Sequence, residues 1–338
     1  MINDYSNWFA NLARAYSFKL SGGLIKQRIH DFQVDEILSF EPDGEGENVF
    51  LQIRKSGVNT DEVVKILSKF CGVPRMDIGY AGLKDKNAVT TQWFSVRLPG
   101  KKEFNWYLLE NENINLLNIT KNRKKLKKGT IKKNKFIIYI RGVRLEDIED
   151  SMKYIAVQGV PNYFGEQRFG REGRNIMKLS DFFARKTKVS KTQRGILLST
   201  ARSFLFNEVL SQRVSENSWN KALPDDVFMF SNGSSIFSAN SEENLQLRID
   251  RNEISPTAVL FGKYKKTSLS LSSIEMRVID ENRWISEGLI AFGVELSRRK
   301  LKVVPQNVQC KEDDDGVEVK FDLPSGSYAT TVLREILS

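Results

Sequence analysis

The chain of 338 residues contains little of the side-chain chemistry on which most catalytic and metal sites depend. Its only histidine is His30, and its only cysteines are Cys71 and Cys310. Because zinc sites need three or four cysteine or histidine ligands at short spacing, the usual zinc sites are excluded. Cys–His and Ser–His–Asp catalysis are excluded too, unless His30 is the base. Carboxylates and lysines are therefore expected to carry any chemistry.

Long hydrophobic runs are also missing. No stretch approaches the roughly 20 apolar residues of a membrane-spanning helix. Residues 1–5 lack the basic start and apolar block of a signal peptide. Two free cysteines fit a reducing compartment. We therefore expect a cytoplasmic protein with no membrane partner.

Positive charge, by contrast, is in excess. The formal net charge is +10, which predicts an acidic partner such as nucleic acid. A membrane surface is the runner-up partner, but no basic amphipathic helix with an aromatic face stands out.

Much of this charge lies in residues 121–135, which hold nine lysines and arginines and no acidic residue. Such a block is often a disordered tail. Here it lies inside the chain and runs directly into the apolar run 136–140, so we predict an ordered basic edge that contacts phosphates. A second basic group follows at Arg168, Arg171, Arg174, Arg185, Lys186, Lys188, Lys191 and Arg194. Two basic surfaces on two domains would suit a folded RNA.

The spacing of apolar residues predicts strand-rich ends around a more helical middle. The strand patterns occupy 49–55, 77–81, 92–98, 136–141 and 317–323, and the helical patterns occupy 59–72, 145–157 and 200–214. A chain of this length exceeds one ordinary core, which favours two domains. The sequence therefore predicts an α+β domain interrupted by an insertion.

One carboxylate, Asp85, lies between Lys84 and Lys86 in a segment flanked by apolar runs. We predict a turn between two strands that presents Asp85 to a cleft. The two flanking ammonium groups would favour its ionised form, and an ionised aspartate can act as a nucleophile without a cofactor. Taken alone, a Lys-Asp-Lys tripeptide is more often a solvated charged turn.

The context of Asp85 resembles the TruD family of pseudouridine synthases. Four blocks match the family in the same order across nearly the whole chain, closest to its bacterial members. The blocks are KQRIHDFQVDE (26–36) with the segment that follows to 47, GLKDKNAVT (82–90), 125–136 together with NYFGEQRFG (162–170), and LPSGSYAT (323–330).

The resemblance implies an α+β fold with two domains. Residues 1–158 and 304–338 would form a pseudouridine synthase catalytic domain with a mixed, largely antiparallel sheet. Residues 159–303 would form an inserted α/β domain particular to the family. The implied reaction is the isomerisation of uridine to pseudouridine in tRNA, which bacterial members perform at position 13 in the D-stem. No metal or organic cofactor takes part, no protein partner is implied, and we expect a monomer.

The resemblance also assigns roles to residues. Asp85 would be the nucleophile and would attack either C6 of the uracil ring or C1′ of the sugar. Phe32, Asn134 and Tyr328 match the substrate-binding positions, although Tyr328 stands where bacterial members usually have phenylalanine and so adds a hydroxyl group. Three further substrate contacts are expected. Phe136 would share a strand face with Asn134, while Lys26 and Lys84 are candidates for a charge partner of Asp85 or for phosphate contacts.

Two alternatives stay open at this point. The chain would be a basic RNA-binding protein whose pocket is vestigial, or the same isomerase acting on another RNA.

Overall fold

The computed structural model describes residues 5–337 apart from 6, 19, 21, 101–102, 240–242 and 265–268. The chain divides into two compact units. The sheet unit comprises Leu20–Ala156 and Pro305–Gly326, and the helix-rich unit comprises Met1–Lys19, Val157–Val304 and Ser327–Ser338. Within the described ranges, no helix combines the length and apolar character needed to cross a membrane.

The strands of the described chain are β1 (Phe32–Leu38), β2 (Asn48–Ser56), β3 (Ile78–Tyr80), β4 (Val89–Arg97), β5 (Ile114–Asn122), β6 (Ile131–Arg141), β7 (Val160–Pro161), β8 (Val227–Phe230), β9 (Ile236–Ser238), β10 (Ile254–Leu260), β11 (Ser297–Lys300), β12 (Lys302–Val303), β13 (Gln306–Asp313) and β14 (Gly316–Pro324). The helices are α1 (Thr60–Cys71), α2 (Leu145–Gln158), α3 (Arg174–Met177), α4 (Leu179–Phe183), α5 (Lys191–Ser215), α6 (Leu245–Asp250), α7 (Ser273–Glu281), α8 (Arg283–Ala291) and α9 (Ala329–Arg334).

The segments around Leu12 and around Arg334 pack in the helix-rich unit, whereas the sequence assigned them to the catalytic domain. Arg334, on α9, donates hydrogen bonds to the main-chain oxygens of Leu12 and Ala13. The ring of Trp8 lies 4.8 Å from that of Phe204 on α5. These contacts join residues about 200 to 320 positions apart, and the spacing of apolar residues along a sequence carries no sign of them.

The sheet unit is built on one mixed sheet with the order β13-β14-β6-β1-β4-β2-β5. Strands β1 and β4 are parallel, and the other pairs among the described strands of this sheet are antiparallel. This confirms the α+β class and the mixed, largely antiparallel sheet. Strand β1 was not expected, because Glu36 takes a buried position where the alternation calls for an apolar side chain.

Strand β4 has a forked edge. On one side it pairs with β2 along its whole length. On the other side, its residues 89–91 pair with β1 and its residues 94–96 pair with β3. The loop 81–88 leaves β3 and returns to the start of β4, so it lies where β1 and β3 diverge.

The basic segment 121–135 is only partly at the edge of the sheet. Its first two residues end the edge strand β5, but residues 131–135 begin β6, which pairs with β1 and β14. The expected strand at 136–141 therefore starts earlier, and the prediction of a basic edge is wrong for these five residues. The buried side chain of Leu126 anchors the intervening loop in the sheet unit.

Helix α1 covers part of this sheet and follows its predicted bounds. Asn59 and Glu62 form a capping box, in which each side chain accepts a hydrogen bond from the main-chain N–H of the other. Gly72 ends the helix at φ +64°, a left-handed conformation that glycine adopts without strain. Val63 and Leu67 are buried in the core that α1 shares with β2 and β4.

The helix-rich unit combines helices with a second sheet, of order β11-β10-β8-β9, whose described strands pair antiparallel. Its centre is α5, which is longer than the predicted 200–214. The first residues of α5, 191–196, are exposed and have no apolar stripe, so only the capping box formed by Ser190 and Gln193 marks the start of the helix. Phe204 and Leu205 lie in the core of this unit.

A buried ion pair in the helix-rich unit gives a test of this fold. The side chains of Arg213 and Asp226 are each 2% exposed, with Nη1 and Oδ1 2.6 Å apart. Asp226→Asn would leave a buried guanidinium without its counter-charge, so we expect the free energy of unfolding in urea to fall by about 3 kcal/mol. The control, Asp280→Asn, breaks an exposed pair with Arg283 and should change it little. Equal losses in both variants would contradict this assignment.

Candidate active site

The 81–88 loop presents Asp85 between β3 and β4, which confirms the predicted turn between strands. Its main chain is held on both sides of Leu83. The Gly82 carbonyl accepts a hydrogen bond from Gln92 Nε2, and the Lys84 N–H donates to Thr60 Oγ1 at 3.0 Å. Thr60 and Gln92 are buried and bonded to each other. The loop is thereby fixed while the Asp85 side chain stays 39% exposed.

A single ammonium group links the Asp85 carboxylate to an aromatic ring. Lys26 Nζ lies 3.9 Å from Asp85 Oδ2 and 4.3 Å from the centre of the Phe32 ring. The Lys26 main chain has φ +59°, a left-handed conformation that is uncommon outside glycine and is frequent at functional sites. The cation next to Asp85 is thus a residue distant in sequence.

The lysines that flank Asp85 have other partners, contrary to the expectation that both would support its charge. Lys84 Nζ lies 3.3 Å from Glu36 Oε2 and donates to Asn134 Oδ1 at 2.6 Å. Lys86 Nζ lies 3.6 Å from Glu62 Oε1 on α1. The two neighbours of Asp85 in sequence therefore pair with carboxylates of different elements.

Glu36 is fully buried at the fork of β4. Burial raises the pKa of its carboxyl group, and the nearby Lys84 ammonium and the hydrogen bond from the Trp93 N–H act in the opposite direction. Lys84 is 8% exposed. This pair therefore ties the loop to β1 by a contact that water barely screens.

Aromatic and amide side chains from three strands, β1, β6 and β14, share one face of the sheet near this loop. Asn134 lies opposite Glu36 in the register of β1 and β6, and Phe136 is two residues further along β6 on the same face. The Phe136 ring lies 6.1 Å from that of Phe32 and 5.6 Å from that of Phe321. Phe136 is therefore enclosed by rings and supports Phe32.

Tyr328 belongs to the helix-rich unit, so the sheet unit brings together the other six predicted site residues without it. Its hydroxyl oxygen accepts hydrogen bonds from Arg168 Nη2 and Nε at 2.8 and 3.1 Å. Its ring meets that of Phe164 edge to face. A Cβ atom at Gly165 would lie 2.8 Å from the Tyr328 ring, so this close approach requires glycine there. The hydroxyl group that phenylalanine lacks thus has a polar partner.

Lys55 was missed as a site residue. It follows Leu51 and Ile53 on the buried face of β2, and although it is a lysine, only 1% of its surface is exposed. Its Nζ donates to the main-chain oxygens of Val58 at 2.6 Å and Asp85 at 3.1 Å. A lysine at an inward position of a strand was the available signal, because buried lysines are rare.

The fold of this chain is shared with a solved structure. It superposes on the crystal structure of a Methanosarcina mazei protein assigned to the TruD family with a TM-score of 0.73, over 99% of this chain and 98% of the other, at 22% identity.

Sequence comparison identifies the family. The profile of tRNA pseudouridine synthase D (TruD) matches residues 13–186 and 176–336. The tRNA pseudouridine synthase D of Methylococcus capsulatus is 42% identical over 97% of this chain and 95% of its own length. That of Hydrogenovibrio crunogenus is 36% identical over 97% and 96%. The chain belongs to the tRNA pseudouridine synthase D family.

The buried Lys84–Glu36 pair predicts a pH-dependent loss of stability. Lys84→Met removes the ammonium group that opposes the effect of burial, so the folded-state pKa of Glu36 should rise further above its ordinary value of 4.5. A carboxyl group with a raised folded pKa contributes stability below about pH 4.5, and that contribution is lost as pH rises through the folded pKa. The deficit of Lys84→Met relative to wild type should thus grow by about 1–3 kcal/mol between pH 4.5 and 7.5.

Urea unfolding at the two pH values measures this deficit. In the Glu36→Gln background there is no carboxyl group at this position to titrate, so Lys84→Met should lower the free energy of unfolding by the same amount at both pH values. A deficit that is independent of pH in the presence of Glu36 would contradict the coupling.

Proposed function

We propose that this chain isomerises uridine 13 in the D-stem of tRNA to pseudouridine, with Asp85 as the nucleophile and no metal or organic cofactor. The observation that carries the proposal is the position of Lys26, between the Asp85 carboxylate at 3.9 Å and the Phe32 ring at 4.3 Å. The Lys26 ammonium group pairs with the carboxylate next to an aromatic ring, and such a ring can hold a base that has left its stack. Curated relatives of 42% and 36% identity bear the name tRNA pseudouridine synthase D.

The chemistry requires one bond to be exchanged for another. The Asp85 carboxylate attacks C6 of the uracil or C1′ of the ribose, and the bond between C1′ and N1 breaks. The detached base turns, a bond forms between C1′ and C5, and C5 loses a proton while N1 gains one. The bond between Asp85 and C6 or C1′ breaks in the same sequence and returns its electron pair to the carboxylate. Atoms and electrons balance without an oxidant or reductant, so one ionised carboxylate with a partly exposed side chain is sufficient.

The other residues have supporting roles in this proposal. Asn134 would hydrogen-bond the Watson–Crick edge of the base or orient the site. Because Lys84 donates to Asn134 Oδ1, the amide NH₂ group would be the donor to the base. Phe32 would contact the base, and Phe136 would pack against Phe32 and support its ring. For Tyr328 we propose the substrate contact that the family match implies, with Arg168 orienting its ring.

Exposed lysines of the 121–135 segment would bind tRNA phosphates. The following lysines of the segment are exposed and form no ion pair with another described residue: Lys121, Lys124, Lys127, Lys132 and Lys135. Because tRNA is the proposed substrate we also propose the cytoplasm as the location, and because one chain supplies every residue named, a monomer as the active species.

Removal of the carboxylate tests the nucleophile. Asp85→Asn should reduce pseudouridine formation in tRNA transcripts by at least about 10³-fold, with little change in tRNA affinity. The control, Asp150→Asn, alters a 98% exposed carboxylate of the same unit and should leave the rate unchanged. In cells lacking the protein, pseudouridine should be missing at position 13 and return with wild type only. Rescue by Asp85→Asn would exclude the nucleophile, and loss in a different RNA would favour another substrate.

Salt dependence tests the basic segment. If each lysine contacts one phosphate, replacing four by glutamine should lower the slope of log Kd against log salt concentration by about 3. The four are Lys124, Lys127, Lys132 and Lys135. Filter binding at several salt concentrations measures the slope. The control replaces four other exposed lysines of the sheet unit: Lys65, Lys69, Lys153 and Lys311. Equal slopes in the two variants would show that the segment lies away from the RNA.

A further inference from the structure

A buried ammonium group lies directly behind the candidate nucleophile. Lys55 Nζ donates to the Asp85 main-chain oxygen at 3.1 Å and to the Val58 main-chain oxygen at 2.6 Å. It thereby joins the 81–88 loop to the turn that leads from β2 into α1. Only 1% of the Lys55 surface is exposed. A charged group is costly to bury at this depth unless its contacts are well formed.

We infer that Lys55 is a positioning residue for Asp85, acting through the two carbonyl groups that its ammonium group joins. Its contact is with the main chain of Asp85, so it determines where the loop holds that residue, while Lys26 contacts the carboxylate itself. Small displacements of a reacting group reduce rates strongly, by about 10²-fold for 1 Å. This inference rests on the proposed function, because Asp85 must be the reacting group.

The charges around Lys55 support the same role. Burial lowers the pKa of Lys55 to about 8, and nearby Lys84 lowers it too, while Asp85 and Glu62 act in the opposite direction. Asp85 and Lys84 face it from the loop and Glu62 from α1. Its partners in the neighbouring strands, Thr90 on β4 and Ile114 on β5, carry no charge. The ammonium group would therefore lose its charge in mildly alkaline solution, and its hydrogen bonds to both carbonyl groups would weaken.

The test is the single-turnover rate of pseudouridine formation against pH in wild type, Lys55→Met and Lys55→Arg. The wild-type rate should fall above pH 8. Lys55→Met should lower kcat at pH 7 about 10- to 100-fold, change KM less than about threefold and lose the inflection near pH 8. Lys55→Arg keeps a positive charge at every pH used, so it should restore part of kcat without that inflection.

The matched control is Lys65→Met on the outer face of α1, where the lysine is 61% exposed. It should leave the rate and its pH profile unchanged. A folded Lys55→Met with the kcat and pH profile of wild type would overturn the inference and leave the proposed function intact. A wild-type protein that forms no pseudouridine would instead overturn the proposed function itself.

A second variant keeps the test decisive if Lys55→Met does not fold. Glu62→Gln retains a side chain that completes a capping box but removes a negative charge near Lys55, so the inflection should move to lower pH. Lys86→Gln breaks the same Lys86–Glu62 ion pair and keeps the Glu62 charge, so its inflection should not move downward. An inflection that stays in place in Glu62→Gln, or shifts equally in both variants, would overturn the role of Lys55.

Discussion

Positive charge buried beneath a single loop is the constraint on which the candidate site depends. Lys84 carries its ammonium group into the sheet to reach Glu36, and Lys55 carries another to the carbonyl groups of Val58 and Asp85. A buried charge tolerates little displacement from its partners, because losing them costs several kcal/mol. The main chain on both sides of Asp85 is therefore held in place, while the carboxylate itself stays partly exposed to substrate.

The fork in β4 explains why these charges can be buried there. Where β1 and β3 diverge, main-chain groups of β4 lose their strand partner, and side chains take over: Glu36 accepts the Trp93 N–H. The need to satisfy buried main-chain groups thus places polar side chains at the point where the loop emerges. The other carboxylate oxygen of Glu36 pairs with Lys84, so a gap in the sheet and the candidate site have one structural origin.

Much of the fold could be predicted from local patterns. Helix α1 follows its capping residues Asn59 and Glu62 and ends at Gly72 as expected, and Asn134 and Phe136 share a strand face. Predictions failed where tertiary contacts outweigh local preference. The buried charge of Glu36 breaks the apolar alternation of β1, so that strand was not predicted. The lysines at 131–135 led to the start of the central strand β6 being placed too late. The contacts of Arg334 with Leu12 and Ala13 have no local sequence pattern.

The sequence by itself determined the candidate nucleophile, the family of the chain and the class of partner. These conclusions rest on properties of the chain alone: a near absence of histidine and cysteine, an excess of lysine and arginine, and four ordered motifs. Only the tertiary structure decided which charged groups lie next to Asp85. Its neighbours in sequence, Lys84 and Lys86, pair with Glu36 and Glu62. Lys26 instead pairs with the Asp85 carboxylate, and Lys55 donates to its main-chain oxygen. Ion pairs and hydrogen bonds act across a few ångströms of space, and distance along the chain does not reveal which groups will meet.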